Sequence, residues 1–487
     1  MFKIDFTLSP RKRFDIVKDP IHGYIRFTRD KLDPSEKFTE VDLINSDWLQ
    51  RLRRIHQLQT AWYVYPAADH TRFIHALGAM ELAGRFAKTV YEPYYKSLDG
   101  KIDDEPLPEI EHVVETFRLA GLLHDIGHGP LTHLLDRRFL KPKHGITHED
   151  ISKQIIKNEL GEVIKGIYRS PDGFFKEQLD PDIICNLIKK GGEQELDFIW
   201  KPLHQIIRGA YDADKMDFLL RDGMLCGEIG ITKADIERLM FTSLLHPEKS
   251  TFQLHHSSIP LLISLISYRQ RMMEIVYYHR TVRAIELMIE DTMEHIFDEL
   301  IPINPLNNLE VYKNADEFSL FQHIEKKKKS TIEKDQKTIE AWNAVFRREI
   351  KFKLLDESKK MIHDPKEMFS SLNADELAIR IEQDTGLKKD GEFIIDSPPV
   401  ETPGNIFSFS EGFTPRDRLM IYYEDRQPEA SRLDTLAMKY QIPIKAIQYR
   451  LYAIRSISDE KAQGAFDSFK KHMGEKNSYS SSLESSF

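Results

Sequence analysis

The sequence predicts a mainly α-helical core with a short N-terminal hairpin and a smaller, mostly helical C-terminal region, and three observations carry that prediction. From Val41 onward, Leu43, Ile44, Trp48, Leu52, Ile55 and Leu58 fall near one face of a helix, and helical patterning returns over 72–91, 113–125, 151–167, 182–189, 202–221, 259–297 and 341–360. β-Branched and aromatic residues cluster instead in 14–27, around Asp19-Pro20 and His22-Gly23, which reads as a small hairpin. The composition, 41% hydrophobic and 30% charged, is that of a globular chain able to bury a sizeable core.

At 487 residues the chain exceeds one compact core, so a large helical domain with an appended lobe is expected. The reading divides it into 1–40 (hairpin segment), 41–300 (core), 301–412 (helical extension), 413–476 (helical lobe) and 477–487 (Ser-rich, disordered tail). The run Glu325 to Lys329 reads as a solvated helix face or loop, and 398–412, rich in Pro, Gly and Ser, as a connector. Apolar residues at helical spacing over 433–454, interrupted by Ile442-Pro443, suggest a helical hairpin; without a wide basic surface, nucleic-acid binding is the weaker reading.

A net charge of −9 argues against a chain whose main work is neutralising nucleic-acid phosphate, yet leaves room for a local basic pocket. Cys185 and Cys226 are far apart and lack metal-ligand spacing, so a reducing cytoplasm is the expected compartment. The strongest apolar patch, 259–266, is far short of a membrane span, and residues 1–13 lack the apolar core of a signal peptide. No membrane partner is expected.

The informative segment runs Gly121-Leu-Leu-His124-Asp125-Ile-Gly-His128-Gly-Pro-Leu-Thr-His133-Leu-Leu-Asp136. Its apolar approach predicts a buried helix that delivers His124 and Asp125 into low-dielectric surroundings, where ionisable groups need a partner. A metal ion is the economical one. His128 lies one helical turn beyond His124 and flanks the same cavity with His133. A lone His-Asp pair means little by itself, but several histidines and carboxylates in one Gly-containing turn are a specific signal. His75, on a helix with small residues Ala76, Gly78 and Ala79, and Asp214 complete a candidate set of two imidazoles and two carboxylates. Such a mixed set favours manganese, iron or magnesium over a closed tetrahedral zinc site.

Together these residues resemble the HD-domain deoxynucleoside triphosphate triphosphohydrolases, and within them the SAM-and-HD-domain branch. The resemblance covers roughly 19–278, through Asp19-Pro-Ile-His-Gly23, Gln50-Arg-Leu-Arg53, Gln57-Leu58, Arg72-Phe-Ile-His75, His124-Asp125, His148-Glu149 and Asp214-Lys215. It implies an HD-domain helical catalytic core in which His75, His124, Asp125 and Asp214 hold the metal, while His128, His133, Asp136, His148 and Glu149 surround the reacting phosphate. Gln57 and Leu58 would meet the deoxyribose, with Arg72, Lys215, Asp222, Arg269 and Tyr277 as further substrate contacts. Asn45, Gln50 and Arg53 would form an activator site beside the hairpin, in a homo-oligomer whose substrate and activator are both deoxynucleoside triphosphates. Two positions depart from the branch: Phe218 stands where a tyrosine is common near the sugar, and Asn45 where an aspartate helps read an activating guanine.

The implied chemistry is attack of a metal-activated water on the α-phosphorus. His133 or His148 would donate a proton to the leaving 5'-oxygen, and Glu149 or Asp136 would orient the donor. An HD hydrolase of another nucleotide phosphoester, or a nucleotide sensor without turnover, are the rival readings.

Overall fold

Strands β1 (Asp15–Asp19) and β2 (Gly23–Phe27) pair antiparallel, Asp15 opposite Phe27, and form the expected N-terminal hairpin. The computed structural model describes residues 14–34, 36–197, 199–247, 250–362, 373–398, 418–423, 429–432, 439–440 and 445–474. The protein is mainly α-helical, as the sequence predicts. Helix α1 (Arg72–Ser97) packs along α2 (Ile110–Leu123), whose residues from His112 onward are all buried. A helix buried on every side lies at the centre of a bundle, and the charged residues of α2 are paired there, Arg118 with Glu40 and Glu115.

The chain after α2 turns through Gly127 and Gly129 into α3 (Asp136–His144), a wide-turn π-helix, and then α4 (His148–Asn158). Helix α5 (Ala213–Cys226) packs against α1, and α6 (Ile259–Met272) leads through a further wide turn to α7 (Arg280–Glu290). Close approach of α1 and α5 depends on Gly78: a Cβ there would lie 2.0 Å from Asp217 Oδ1 and 2.4 Å from Arg221 Nη2. Gly78 is one of the small residues read from the sequence on this helix, and Ala76 and Ala79 beside it are buried.

Strands occupy more of the chain than the sequence reading allowed. β3 (Ser243–Leu245) and β4 (Phe252–His255) form a sheet with β7 (Arg418–Tyr422), parallel to β4, and β8 (Glu429–Arg432). The C-terminal region, expected to be mostly helical, is a lobe built on a three-stranded antiparallel sheet. Its central strand β9 (Lys445–Ile454) lies between β5 (Phe352–Ile362) and β6 (Phe393–Asp396), with α8 (Ala374–Thr385) and α9 (Asp459–Met473) against it. The helix expected over 341–360 ends at Phe346, and the chain turns through Arg348 at φ 57° into β5. Within 445–454, expected as part of a helical hairpin, Tyr449, Leu451 and Ala453 alternate into a small core with Leu377, Ile381, Phe393 and Phe469. The period of two and the aromatic content win because β5 and β6 supply partners that a local pattern does not reveal. The lobe thus joins segments from both sides of the expected 412/413 boundary.

Lys326, Lys328 and Lys329 are exposed, in keeping with a solvated helix face, whereas Lys327 pairs with Glu299 and Asp335. The connector reading falls almost wholly, and the tail reading entirely, outside the described residues. Among the described residues no helix is long and apolar enough to cross a membrane.

Substituting Gly78→Ala is expected to destabilise the protein by roughly 1–3 kcal/mol through overpacking, because buried Asp217 and Arg221 have little room to withdraw. A lowered denaturant midpoint at unchanged slope checks this.

Candidate active site

Helix α2 ends at Leu123, and the next two residues, His124 and Asp125, face the first turns of α1 and α5. His75 Nε2 lies 3.2 Å from His124 Nε2 and 3.2 Å from Asp214 Oδ1. His124 Nε2 is 3.5 Å from the same Asp214 oxygen and 3.4 Å from Asp125 Oδ1, while Asp125 Oδ2 is 3.8 Å from His75 Nε2. Donor atoms of His75, His124 and Asp125 lie within 4.8 Å of one another, and Asp214 adjoins both histidines. His75, His124 and Asp125 are buried, and the Asp214 side chain is 35% exposed, so the site opens on its side.

The hydrogen bonds behind these atoms fix their chemistry. His124 Nδ1 is 2.8 Å from the Gly121 carbonyl oxygen, which can only accept, so Nδ1 carries the proton and the neutral ring presents a lone pair at Nε2. His75 Nδ1 donates to Asp217 Oδ2 at 2.8 Å, which orients its Nε2 in the same way. The two Nε2 atoms face each other at 3.2 Å, a separation that calls for a proton or a cation between them, and with two carboxylates they fit a divalent ion. The field points the same way. Burial opposes charge on His75, yet its bonds to Asp214 and Asp217 push the imidazole up to about 10. Burial likewise opposes ionisation of Asp125, but His124 and Arg72 hold its carboxyl well below the usual range.

Asp217 is the group that sequence reasoning missed. Its fully buried carboxylate accepts from His75, from His22 Nε2 at 2.6 Å and from Arg221 Nε and Nη2 at 2.9 and 2.8 Å. Arg221 also reaches Asp19 at 2.8 Å, so the turn of the N-terminal hairpin closes over the back of the site. A signal existed: Asp217 and Arg221 are one turn apart on the helix that carries Asp214.

A second group of side chains adjoins the first. His128 and His148 stack at 3.6 Å between ring centroids, and His133 meets both edge-on at 4.8 and 5.4 Å. His148 Nδ1 is hydrogen-bonded to Asp136, whose other oxygen accepts from the His148 backbone at 3.1 Å. Burial, with the nearby Arg72 and His148, holds His128 well below the usual histidine range, and its Nε2 stands 3.4 Å from Asp125 Oδ1. Gly127 permits this assembly, because a Cβ there would lie 2.1 Å from the His148 carbonyl; its own N–H donates to Ser152 Oγ at 2.9 Å. Leu131 and Thr132, with φ of 60° and 47°, turn the chain into His133. The donor atoms of His128, His133, Asp136 and His148 also lie within 4.8 Å of one another.

The other expected residues distribute as follows. Arg72 donates to Asp125, at the edge of both groups. Glu149 turns to Arg208, 2.7 Å away, rather than toward the histidines. Lys215 is bonded to Asp212 and to the Gly209 carbonyl. Asp222 joins His70, at 2.8 Å, to the Tyr277 hydroxyl, at 2.7 Å, and Tyr277 meets Phe218 edge-on. Gln57 is tied through its backbone to His70, and its side-chain oxygen is buried without a partner; Leu58 is buried beside it. Arg269 is half-buried on α6. Gln50 donates to the Ile44 carbonyl and accepts from Arg53 Nε at 2.9 Å, and Arg53 stacks on Phe73 at 3.6 Å, beside Asn45 at the end of the preceding helix.

Residues 72–217 match the family model of the HD domain, and this stretch holds His75, His124, Asp125 and Asp214. Within that class the chain resembles the SAMHD1 branch, as the sequence predicts. It is 29% identical over 338 residues to the deoxynucleoside triphosphate triphosphohydrolase SAMHD1 homolog of Dictyostelium discoideum, covering 69% of this chain and 59% of that protein. It is 29% identical over 299 residues to SAMHD1 of Bos taurus, covering 57% and 46%, and 31% identical over 285 residues to the uncharacterized protein YwfO of Bacillus subtilis (strain 168), covering 58% and 55%. The chain spans about half the length of these curated relatives. Its fold is similar to that of a hypothetical protein from Aquifex aeolicus, with a TM-score of 0.63 and 21% identity over 93% of this chain and 99% of that one.

Replacing Asp217→Asn is expected to weaken divalent-metal affinity by about 10–100-fold, because it unseats the His75 ring without removing a donor atom. Calorimetric titration with manganese checks this. Protons compete for His75, raised to about 10, and for His124, also raised, so affinity in the unaltered protein rises with pH toward about pH 10, with proton release on binding.

Proposed function

We propose that the protein is a metal-dependent phosphohydrolase that cleaves deoxynucleoside triphosphates to deoxynucleoside and inorganic triphosphate. The observation that carries this reading is the four-donor centre lying directly beside an imidazole stack with its own orienting carboxylate. A divalent ion at that centre supplies Lewis acidity, offsetting phosphate charge and acidifying a water molecule. The deoxynucleotide class comes from the names of the relatives, and the Gln57-Leu58 motif read from the sequence supports it.

The chain's own residues divide the remaining work. Asp136 holds His148 by Nδ1, which leaves Nε2 to hand a proton to the leaving 5'-oxygen. His133, 60% exposed at the mouth of the stack, meets the incoming phosphate first, and neutral His128 excludes water beneath it. Arg72 spans Asp125 and the phosphate, and Arg269 adds positive charge from α6; Lys215 reaches the phosphates only by leaving Asp212. Glu149 acts through Arg208 rather than as the orienting base. Asp222 and Tyr277 form the polar wall for the sugar, with Phe218 contributing an apolar face and no hydroxyl.

A nucleotide activator fits the same reading. Gln50 and Arg53 present a guanidinium stacked on Phe73, which precedes His75 by two residues, and a two-fold assembly would pair such sites. Asn45 leaves no carboxylate there for a guanine.

His148→Ala is expected to lower turnover by about 100-fold or more while leaving metal content intact. Hydrolysis of the four deoxynucleotides, singly and mixed, with manganese or magnesium checks the substrate. Inorganic triphosphate as product supports the reading; orthophosphate alone, or binding without turnover, replaces it by one of the rivals.

A further inference from the structure

Helix α3 is a nine-residue π-helix whose first residue, Asp136, aims His148. Wide-turn helices are costly and occur mainly where function fixes them, so something outside the helix must hold its pitch. Its next two residues supply the handle. Arg137 Nη2 lies 3.2 Å from Glu290 Oε1 and 3.6 Å from Glu286, and Arg138 pairs with the other oxygen of Glu290. Both glutamates are on α7, and their side chains are only 5% and 6% exposed.

These buried carboxylates are held in turn by Arg283. Its guanidinium, 4% exposed, pairs with Glu286, stands 3.6 Å from Glu290, and grips Asp396 of β6 through a fork at 2.7 and 3.1 Å. The network balances three guanidiniums against three carboxylates. It connects the C-terminal lobe to the catalytic helix without touching the site itself. The lobe takes a second hold on the same segment: Arg450 donates to the Tyr278 carbonyl and Tyr452 to the Arg280 carbonyl at 2.8 Å, immediately after Tyr277.

We propose that Arg283 is a positioning residue for the Asp136–His148 pair, through which the docked C-terminal lobe fixes the geometry of the proton donor. Without its fork, Glu286 and Glu290 lose their common buried cation, Arg137 and Arg138 follow the carboxylates, and the start of α3 shifts with them. A buried carboxylate cluster stripped of a cation relaxes by moving or by taking up a proton, and either change loosens the grip on Arg137 and Arg138. The inference rests on the reading of His148 as proton donor, but its structural part can be measured separately.

The test uses the full chain with Arg283→Met, Arg283→Lys and Glu290→Gln, with metal content, kcat and KM measured on a deoxynucleoside triphosphate. The Nδ1–H signal of His148, assigned by its loss in His148→Gln, is followed in ring-nitrogen-labelled protein. Arg283→Met is expected to lower kcat by about tenfold or more, with KM within about twofold and metal content unchanged, because a small misplacement at the donor is enough. The His148 signal shifts or broadens in parallel, and Arg283→Lys, which keeps the charge but not the fork, falls between. An unchanged His148 signal and kcat in folded Arg283→Met overturns the proposal, as does a loss of activity that tracks lowered thermal stability while the signal stays in place. Should Arg283→Met fail to fold, Glu290→Gln and Arg283→Lys are read by the same two criteria. If the unaltered protein cleaves no triphosphate, the functional reading fails while the His148 signal still decides the positioning role.

Discussion

The carboxylate of Asp217 is the constraint on which the site depends. It sits in the middle of the helix pair α1 and α5 and is fully buried, so it must be saturated with donors or be expelled. Three elements answer that demand: His22 from the hairpin, His75 from α1 and Arg221 from α5. Satisfying one buried charge thereby welds the N-terminal turn to the core and sets the tautomer of a candidate metal-binding histidine. Stability and chemistry are the same set of bonds here, because the donor that solvates Asp217 is the ring that presents its other nitrogen to the cation.

The site is layered outward from that carboxylate. Next come His75, His124, Asp125 and Asp214, whose donor atoms are close enough to take a proton or a cation among them. Beyond them His133 and His148 form a less buried rim over the buried His128, with His148 clamped by Asp136. Arg72 lies between the layers and keeps Asp125 ionised against its burial. The arrangement grades from a rigid, charge-saturated interior to a rim where a ring can exchange a proton.

The helical core was legible in the sequence because its signals are local. An apolar run ending in His124-Asp125 announces a buried helix terminus, and small residues flanking His75 announce close packing. The partnership of Asp217 with His22 bridges nearly the whole core in sequence, so no pattern around either residue reveals it. The C-terminal strands were misread for a related reason. The stretch 445–454 has apolar residues compatible with either periodicity, and the decision is made by pairing with β5 and β6, which lie before it and far away. Glu149 shows the limit at the scale of one residue: adjacency to His148 suggested a shared role, but the first turn of α4 points the two side chains apart, one to Asp136 and the other to Arg208.

The wide pitch of α3 also makes the number of residues in this segment matter in its own right. Each residue in an α-helix advances the side-chain direction by about 100°, so deleting a single residue between Asp136 and His144 would let the segment relax to ordinary pitch and swing its ends out of phase. Phe139 could still bury itself against Phe297, and the fold would survive. The carboxylate and the ring would no longer meet. Among descendants of a common ancestor, a one-residue gap at this place would mark a lineage that kept the architecture and changed its chemistry, even with every histidine retained.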